Sequence, residues 1–163
     1  MTGGERMSKS LARVVAALRA AGLTADPLEM PGETRTALQA AEAANCALDQ
    51  IVKSILFRGE YDGRLFLFLT AGGNQVDASR AAALAGQQMG PADADEVRRV
   101  TGFAIGGVSP VGHLTPLPSF FDPRLLDFPV IWGAAGTPRH IFPVAPQDLL
   151  SVTGATVAAF TTT

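Results

Sequence analysis

Ile51-Val-Lys-Ser-Ile-Leu-Phe57, then Gly59-Glu-Tyr-Asp-Gly63, then Arg64-Leu-Phe-Leu-Phe-Leu-Thr70 is the stretch that decides the architecture. Its two outer runs are dense in β-branched, leucine and aromatic residues, and the Asp-Gly between them suits a tight turn, so the spacing predicts a β-hairpin. Upstream, Leu11, Val14, Val15 and Leu18 repeat at helical spacing, and Gly22 supplies the glycine that ends such a helix. Thr36-Ala-Leu-Gln39 is a capping-box pattern that starts a second helix running to about Asn45. Downstream, Asp77 caps an Ala-rich helix ending at Gly86, and Asp93 with Glu96 opens another ending near Thr101-Gly102.

The second half changes character. Gly and Pro cluster from Gly102 to Pro118, followed by short apolar runs at Ser119–Phe121, Pro129–Gly133 and His140–Val144. Asp122-Pro123 reads as the cap and first residue of a single helical turn, and Pro146 opens a last helix through Leu150. Thr156–Phe160 reads as a terminal strand. No repeat or low-complexity linker divides the chain. The expectation is one α+β domain with a mixed central sheet over residues 9–161, behind a flexible polar tail at 1–8.

Composition narrows the function. The chain has 163 residues, is 47% hydrophobic and 17% charged, and carries a net charge of −2, the profile of a packed domain. Sequence-independent binding of a polyanion needs many phosphate-neutralising cations, and this charge balance gives no such drive. A general or sequence-specific DNA-binding role is therefore not expected. The single cysteine, Cys46, excludes an intramolecular disulfide and a cysteine zinc cluster, and reads as a small buried apolar residue. No apolar run approaches the ~20 residues of a membrane span. Met1 to Ser10 is polar and lacks a signal-peptide core, so the expected location is cytoplasmic and the expected state monomeric.

Standard catalytic motifs fail. There is no P-loop, no G-x-G-x-x-G and no H-E-x-x-H. Gly107-Val-Ser-Pro-Val111 resembles a nucleophile elbow but lacks the final glycine, and a proline follows the serine. The two histidines, His113 and His140, are far apart in sequence and have no third metal ligand, so neither a metal nor a cofactor is expected.

Two features stand out. There are eleven arginines but only two lysines, and one of those, Lys53, interrupts a run of Ile, Val, Ile, Leu and Phe. Side chains alternate across a strand, so Lys53 shares a face with Ile51, Ile55 and Phe57. It is either an edge-strand lysine snorkelling to water or a cation set at a cleft. The second feature is Thr101-Gly-Phe-Ala-Ile-Gly106-Gly-Val-Ser-Pro110-Val-Gly-His113. Adjacent glycines permit close backbone approach, and such a loop is either a tight connection or a set of N–H donors for a carbonyl or oxyanion.

Together these residues resemble the YbaK/EbsC family, relatives of the editing domain inserted in bacterial prolyl-tRNA synthetases. The likeness runs through Glu33-Thr-Arg-Thr36, Ile51-Val-Lys-Ser-Ile-Leu56 and Thr101 to His113, and continues at Ala134-Ala-Gly136 and Asp148-Leu-Leu150. A strand lysine followed about fifty residues later by G-G-V-S-P-V-G is the specific pair. The resemblance implies a trans-editing deacylase that hydrolyses the ester of a mischarged tRNA, with a small amino acid such as Ala or Cys on tRNA(Pro). It implies that Lys53 is required for activity. Gly106, Gly107, Val108, Ser109 and Pro110 become the substrate-binding loop, and His140 a further pocket position. By the same resemblance His113 supports the loop, while Thr34 and Arg35 border the entrance or are simply a solvated loop. Ser109 as an acyl-forming nucleophile lacks a base partner. The implied partner is the acceptor end of an aminoacyl-tRNA, with a synthetase as a second partner. The alternative is a silent module that binds a tRNA 3′ end or a synthetase without cleaving the ester.

Overall fold

The computed structural model describes residues 8–24, 26–33 and 36–162. The first helix, α1 (Lys9–Ala20), is capped by the Ser8 hydroxyl, which accepts from Leu11 N–H, and Gly22 follows it with φ +80°. After the two-residue strand β1 (Leu28–Glu29) comes α2 (Ala37–Ala44), where the Thr36 hydroxyl accepts from Gln39 N–H and Asn45 closes the helix in the left-handed region. These caps satisfy main-chain groups that a helix end would otherwise leave unpaired.

The predicted hairpin is β2 (Ile51–Gly59) and β3 (Leu65–Ala71), in continuous antiparallel register from Val52↔Ala71 to Arg58↔Leu65. Then follow α3 (Ala78–Ala85), β4 (Met89–Pro91), α4 (Ala94–Thr101) and β5 (Ser119–Phe121). A 3₁₀ turn (Pro123–Asp127), β6 (Ile131–Ala134), β7 (His140–Val144), α5 (Pro146–Thr153) and β8 (Thr156–Val157) complete the chain. The eight strands form one sheet in the order β1-β7-β6-β2-β3-β5-β8, with β4 pairing to β2 as well. Pairs β2/β6, β3/β5 and β5/β8 are parallel and the others antiparallel, which makes the sheet mixed as expected.

Three details differ from the expectation. β1 and β4 were not foreseen, because two or three residues are too few to show a period of two. Helix α5 runs on to Thr153 and is ended by Gly154 at φ +65°. The terminal strand is shorter than Thr156–Phe160, because Phe160 turns inward and is fully buried while its carbonyl accepts from Asp77 N–H.

Both faces of the hairpin are covered. On one, Val52, Leu67 and Leu69 pack with Leu11, Val14, Val15 and Leu18 of α1 and with Leu149 of α5. On the other, Phe66 and Phe68 pack with Phe160, Ala81, Ile55 and Phe57. A third, smaller cluster joins Ala40 and Ala41 of α2 to Ile51 and Trp132. The fully buried Phe68 ring meets Phe57 and Phe160 edge-on at 5.8 and 5.0 Å and stacks on Phe120 at 5.2 Å. Removing it leaves a cavity that three rings line. Phe68→Ala is expected to cost about 3–5 kcal/mol of unfolding free energy by urea denaturation, and a loss below about 1 kcal/mol would contradict this packing.

Candidate functional site

Strand β2 has two unlike edges. Along β3 it is paired throughout, whereas on its other edge β6 covers only Ile51 and Val52 and β4 only Phe57 to Gly59. Between them, from Lys53 to Leu56, no described strand is paired to that edge. A cavity of about 450 Å³ fills the gap, and consecutive residues Ile51 to Leu56 all line it. Trp132 and Ala134 of β6 and Ile141 of β7 close one side, Ala92 and Val97 another, Ala37 and Ala40 of α2 with its cap Thr36 a third. The Gly-rich loop supplies Ile105, Gly106 and Val108.

Among the described lining residues Lys53 is the one charged side chain. It lies on the odd face of β2, between the Ile51–Trp132 cluster and the Ile55–Phe68 cluster. Its ammonium donates to the Asn74 carbonyl. Asn74 is itself held from behind: its side-chain amide donates to Asp122 Oδ2 at 2.9 Å, and the same oxygen accepts from Ala71 N–H at 3.0 Å. Asp122 is 1% exposed and also caps the 3₁₀ turn through Arg124 N–H. Asp49, bonded to Gly73 N–H and to the Arg124 guanidinium, braces the other side of the 71–74 turn. Burial pushes the Lys53 pKa below the usual lysine range, while the carboxylates of Asp122 and then Asp49 pull it back up. The lysine is therefore neither free in water nor a stray core charge. It is a cation held at the cavity wall by a carbonyl and two carboxylates.

The loop reaches the cavity with two of its five predicted residues. Gly106, at φ +94°, and Val108 line it, and no hydrogen bond within the described residues occupies either N–H. Gly107 N–H closes the turn onto the Ala104 carbonyl, and a Cβ there would come within 3.4 Å of the Thr137 backbone. Ser109 is fully buried, and its hydroxyl accepts from Val111 N–H at 3.2 Å. The Pro110 ring packs on Gly133, where a Cβ would stand 3.0 Å from it. His113 shares a 2.6 Å hydrogen bond with the Ser109 carbonyl and meets Phe103 edge-on, so it supports the loop as expected, and burial lowers its pKa. His140 is half-buried on β7, its Nδ1 sharing a 2.7 Å bond with the Thr137 hydroxyl; Ile141 rather than His140 lines the cavity. Thr34 and Arg35 lie outside the described residues. Cys46 packs beside Ala40 and Ile51, and burial raises its thiol pKa.

Four contributors escaped the sequence reading. Arg13 spans both ends of the loop, donating to Gly102 and Gly112 carbonyls at 2.9 and 2.8 Å with its guanidinium 4.4 Å from the Phe103 ring. Asp122, Asn74 and Ser54 complete the set. Only Asp122 left a signal, and it pointed to capping. No group of three or more His, Cys, Asp or Glu suited to a metal occurs among the described residues, and no helix among them is long and apolar enough to cross a membrane.

A mixed α+β sheet is thus interrupted beside one half-buried lysine, and the cavity there is also lined by Gly106 and Val108 of the loop, whose N–H groups have no hydrogen-bond partner among the described residues. Residues 31–152 match the family model of the aminoacyl-tRNA editing domain. The chain belongs to that family. A relative from Bacillus subtilis (strain 168), the uncharacterized protein YwhH, is 31% identical over 124 residues, spanning 76% of this chain and 78% of its own. A crystal structure described as a "putative trans-editing enzyme for prolyl tRNA synthetase" superposes with a TM-score of 0.90 at 46% identity, over 97% of this chain and all of that one. The hypothetical protein APE2540 superposes at 0.84 with 29% identity, over 92% and 99%.

With only two lysines, Lys53 is easily followed by NMR of the labelled side-chain amines. It is expected to titrate below the ordinary lysine range, and Asp122→Asn to lower it further. Unfolded chain then binds the proton more tightly than folded chain, so stability rises with pH between the lowered and the ordinary value. The stability of the wild type relative to Lys53→Met should accordingly increase across that alkaline window. A Lys53 titration unmoved by Asp122→Asn would contradict the placement.

Proposed function

We propose that the protein is a trans-editing aminoacyl-tRNA deacylase, hydrolysing the ester between a wrong, small amino acid and the 3′-terminal adenosine of tRNA. The observation that carries this reading is the convergence of Lys53 with Gly106 and Val108 on one cavity. An ester is far more reactive than an amide, so orientation and electrostatic stabilisation suffice without a covalent intermediate. Water adds to the ester carbonyl carbon, and negative charge develops on the carbonyl oxygen. The free N–H groups of Gly106 and Val108 stabilise that oxygen, and the Lys53 ammonium gathers the anionic or carbonyl end of the substrate. Collapse of the tetrahedral species breaks the bond to the ribose, releasing the amino acid and a tRNA with its hydroxyl restored.

The remaining loop residues give this arrangement its shape. Gly107 packs on the Thr137 turn that His140 holds, Pro110 seats the loop on β6, and Ser109 holds its inner side. A buried Ser109 whose hydroxyl already accepts a main-chain bond, and whose neighbour His113 is bonded to its carbonyl rather than to its hydroxyl, is poorly suited to attack. His140 and Thr34 are proposed as further substrate-binding positions. The structure described as a "putative trans-editing enzyme for prolyl tRNA synthetase" supports tRNA(Pro) carrying Ala or Cys as the first substrates to try. A synthetase delivering that tRNA is part of the same proposal.

Incubation with Ala-tRNA(Pro) and Cys-tRNA(Pro) is expected to release the amino acid, and Lys53→Ala to slow release at least ~100-fold, the scale of losing one preorganised donor. Wild-type rates in that variant would remove the lysine from the mechanism. Retention of the charged tRNA with its ester intact would instead establish a binding module.

A further inference from the structure

Among the described residues that line the cavity, Ser54 is the one with three unpartnered polar groups. Gly59 N–H donates to the Arg64 carbonyl, so odd residues of β2 turn their main-chain groups toward β3 and even residues turn theirs away. Val52 meets β6 and Arg58 meets β4. Ser54 lies between them, its N–H and carbonyl facing the gap with no ladder partner among the described residues. Its hydroxyl is buried and has no hydrogen-bond partner among the described residues. A buried hydroxyl is rarely left so, and together with an unpaired N–H and carbonyl on the same cavity-lining residue it points to a ligand that satisfies them.

The chemistry of that ligand follows from the other walls. Among the described lining residues there is no carboxylate, so a ligand ammonium finds its acceptors only in carbonyl and hydroxyl oxygens. An unpaired strand edge offers one donor and one acceptor on the same residue, which is how extended backbone is recognised. An α-aminoacyl group carries the matching set across a single carbon, an ammonium and a carbonyl. We infer that Ser54 is the docking edge for the α-amino end of the acyl group: its carbonyl and hydroxyl receive the ammonium, while its N–H supports the acyl carbonyl. The inference rests on the deacylase reading for the identity of the substrate. It assigns Ser54 to binding and leaves the bond-breaking step to Lys53 and the loop. Recognition of this kind reads atoms common to all amino acids, so selectivity among side chains falls to the apolar walls. It also makes a free amine a requirement.

The test uses a non-hydrolysable probe, alanine joined by an amide to 3′-amino-3′-deoxyadenosine, and its N-acetylated form. The expected result is that the free-amine probe shifts the Ser54 amide in NMR titration, and that N-acetylation weakens binding at least tenfold. Ser54→Ala, which forfeits no bond in the free protein, should retain the wild-type melting temperature. It should raise KM for Ala-tRNA(Pro) at least tenfold with little change in kcat, and lose most of the discrimination against the acetylated probe. A probe that leaves the Ser54 amide unmoved, fails to bind, or binds equally well when acetylated overturns the inference, as does wild-type KM in Ser54→Ala. Failure of the parent reading looks different. The amine-dependent shift at Ser54 would persist while every aminoacyl-tRNA kept its ester, which refutes the reaction and retains the docking edge.

Discussion

A strand packed against on both faces must pair its main-chain groups, and β2 does so completely on one edge and only at its ends on the other. The rest of the molecule is arranged around that interruption. β6 leaves β2 after Val52 to turn back into β7, β4 joins only at Phe57, and the space between them is the cavity. Had either neighbour been a few residues longer, the ladder would have closed and the site would be sheet.

Placing a lysine beside such a gap raises an electrostatic difficulty, because the surroundings are apolar and an unpaired buried ammonium is costly. The solution lies behind the strand. A tight turn after β3 presents the Asn74 carbonyl to the ammonium, and Asp122 fixes that turn through Ala71 N–H and the Asn74 amide. Two glycines make the turn possible: a Cβ on Gly72 would strike the Leu48 carbonyl at 2.2 Å and one on Gly73 the Asp49 carboxylate at 2.5 Å. Asp49 and Asp122 thus hold both the turn and the charge it serves. On the opposite wall Arg13 does a comparable service for the loop, bonding its two ends so that the segment between them projects toward the cavity.

Local signals were plain in the sequence wherever one short segment settles its own conformation. Thr36, Asp77 and Asp93 cap the helices their spacing predicts, and glycines at 22, 86 and 102 follow the helices they end. The hairpin register follows from two apolar runs and an Asp-Gly turn. The identity of Lys53 and the presence of the glycine loop were equally legible, since a cation inside an apolar run and paired glycines are unusual compositions. Ser54 was not, because a serine alternating with aliphatic residues is unremarkable until the missing strand beside it is seen. Asp122 and Arg13 were hidden for the same reason: their partners lie 51 and 99 residues away.

By itself, then, the chain determined its helices, its central hairpin and the two candidate groups of the site, because caps, periodicity and turn chemistry act over a few residues. Tertiary structure alone decided that Lys53, Gly106 and Val108 share one cavity, that Gly107, Ser109 and Pro110 stand behind its wall, and that His140 is held by Thr137. Those facts depend on where β6 and β4 stop pairing with β2, and strand ends are fixed by the packing of distant segments rather than by the residues at the gap.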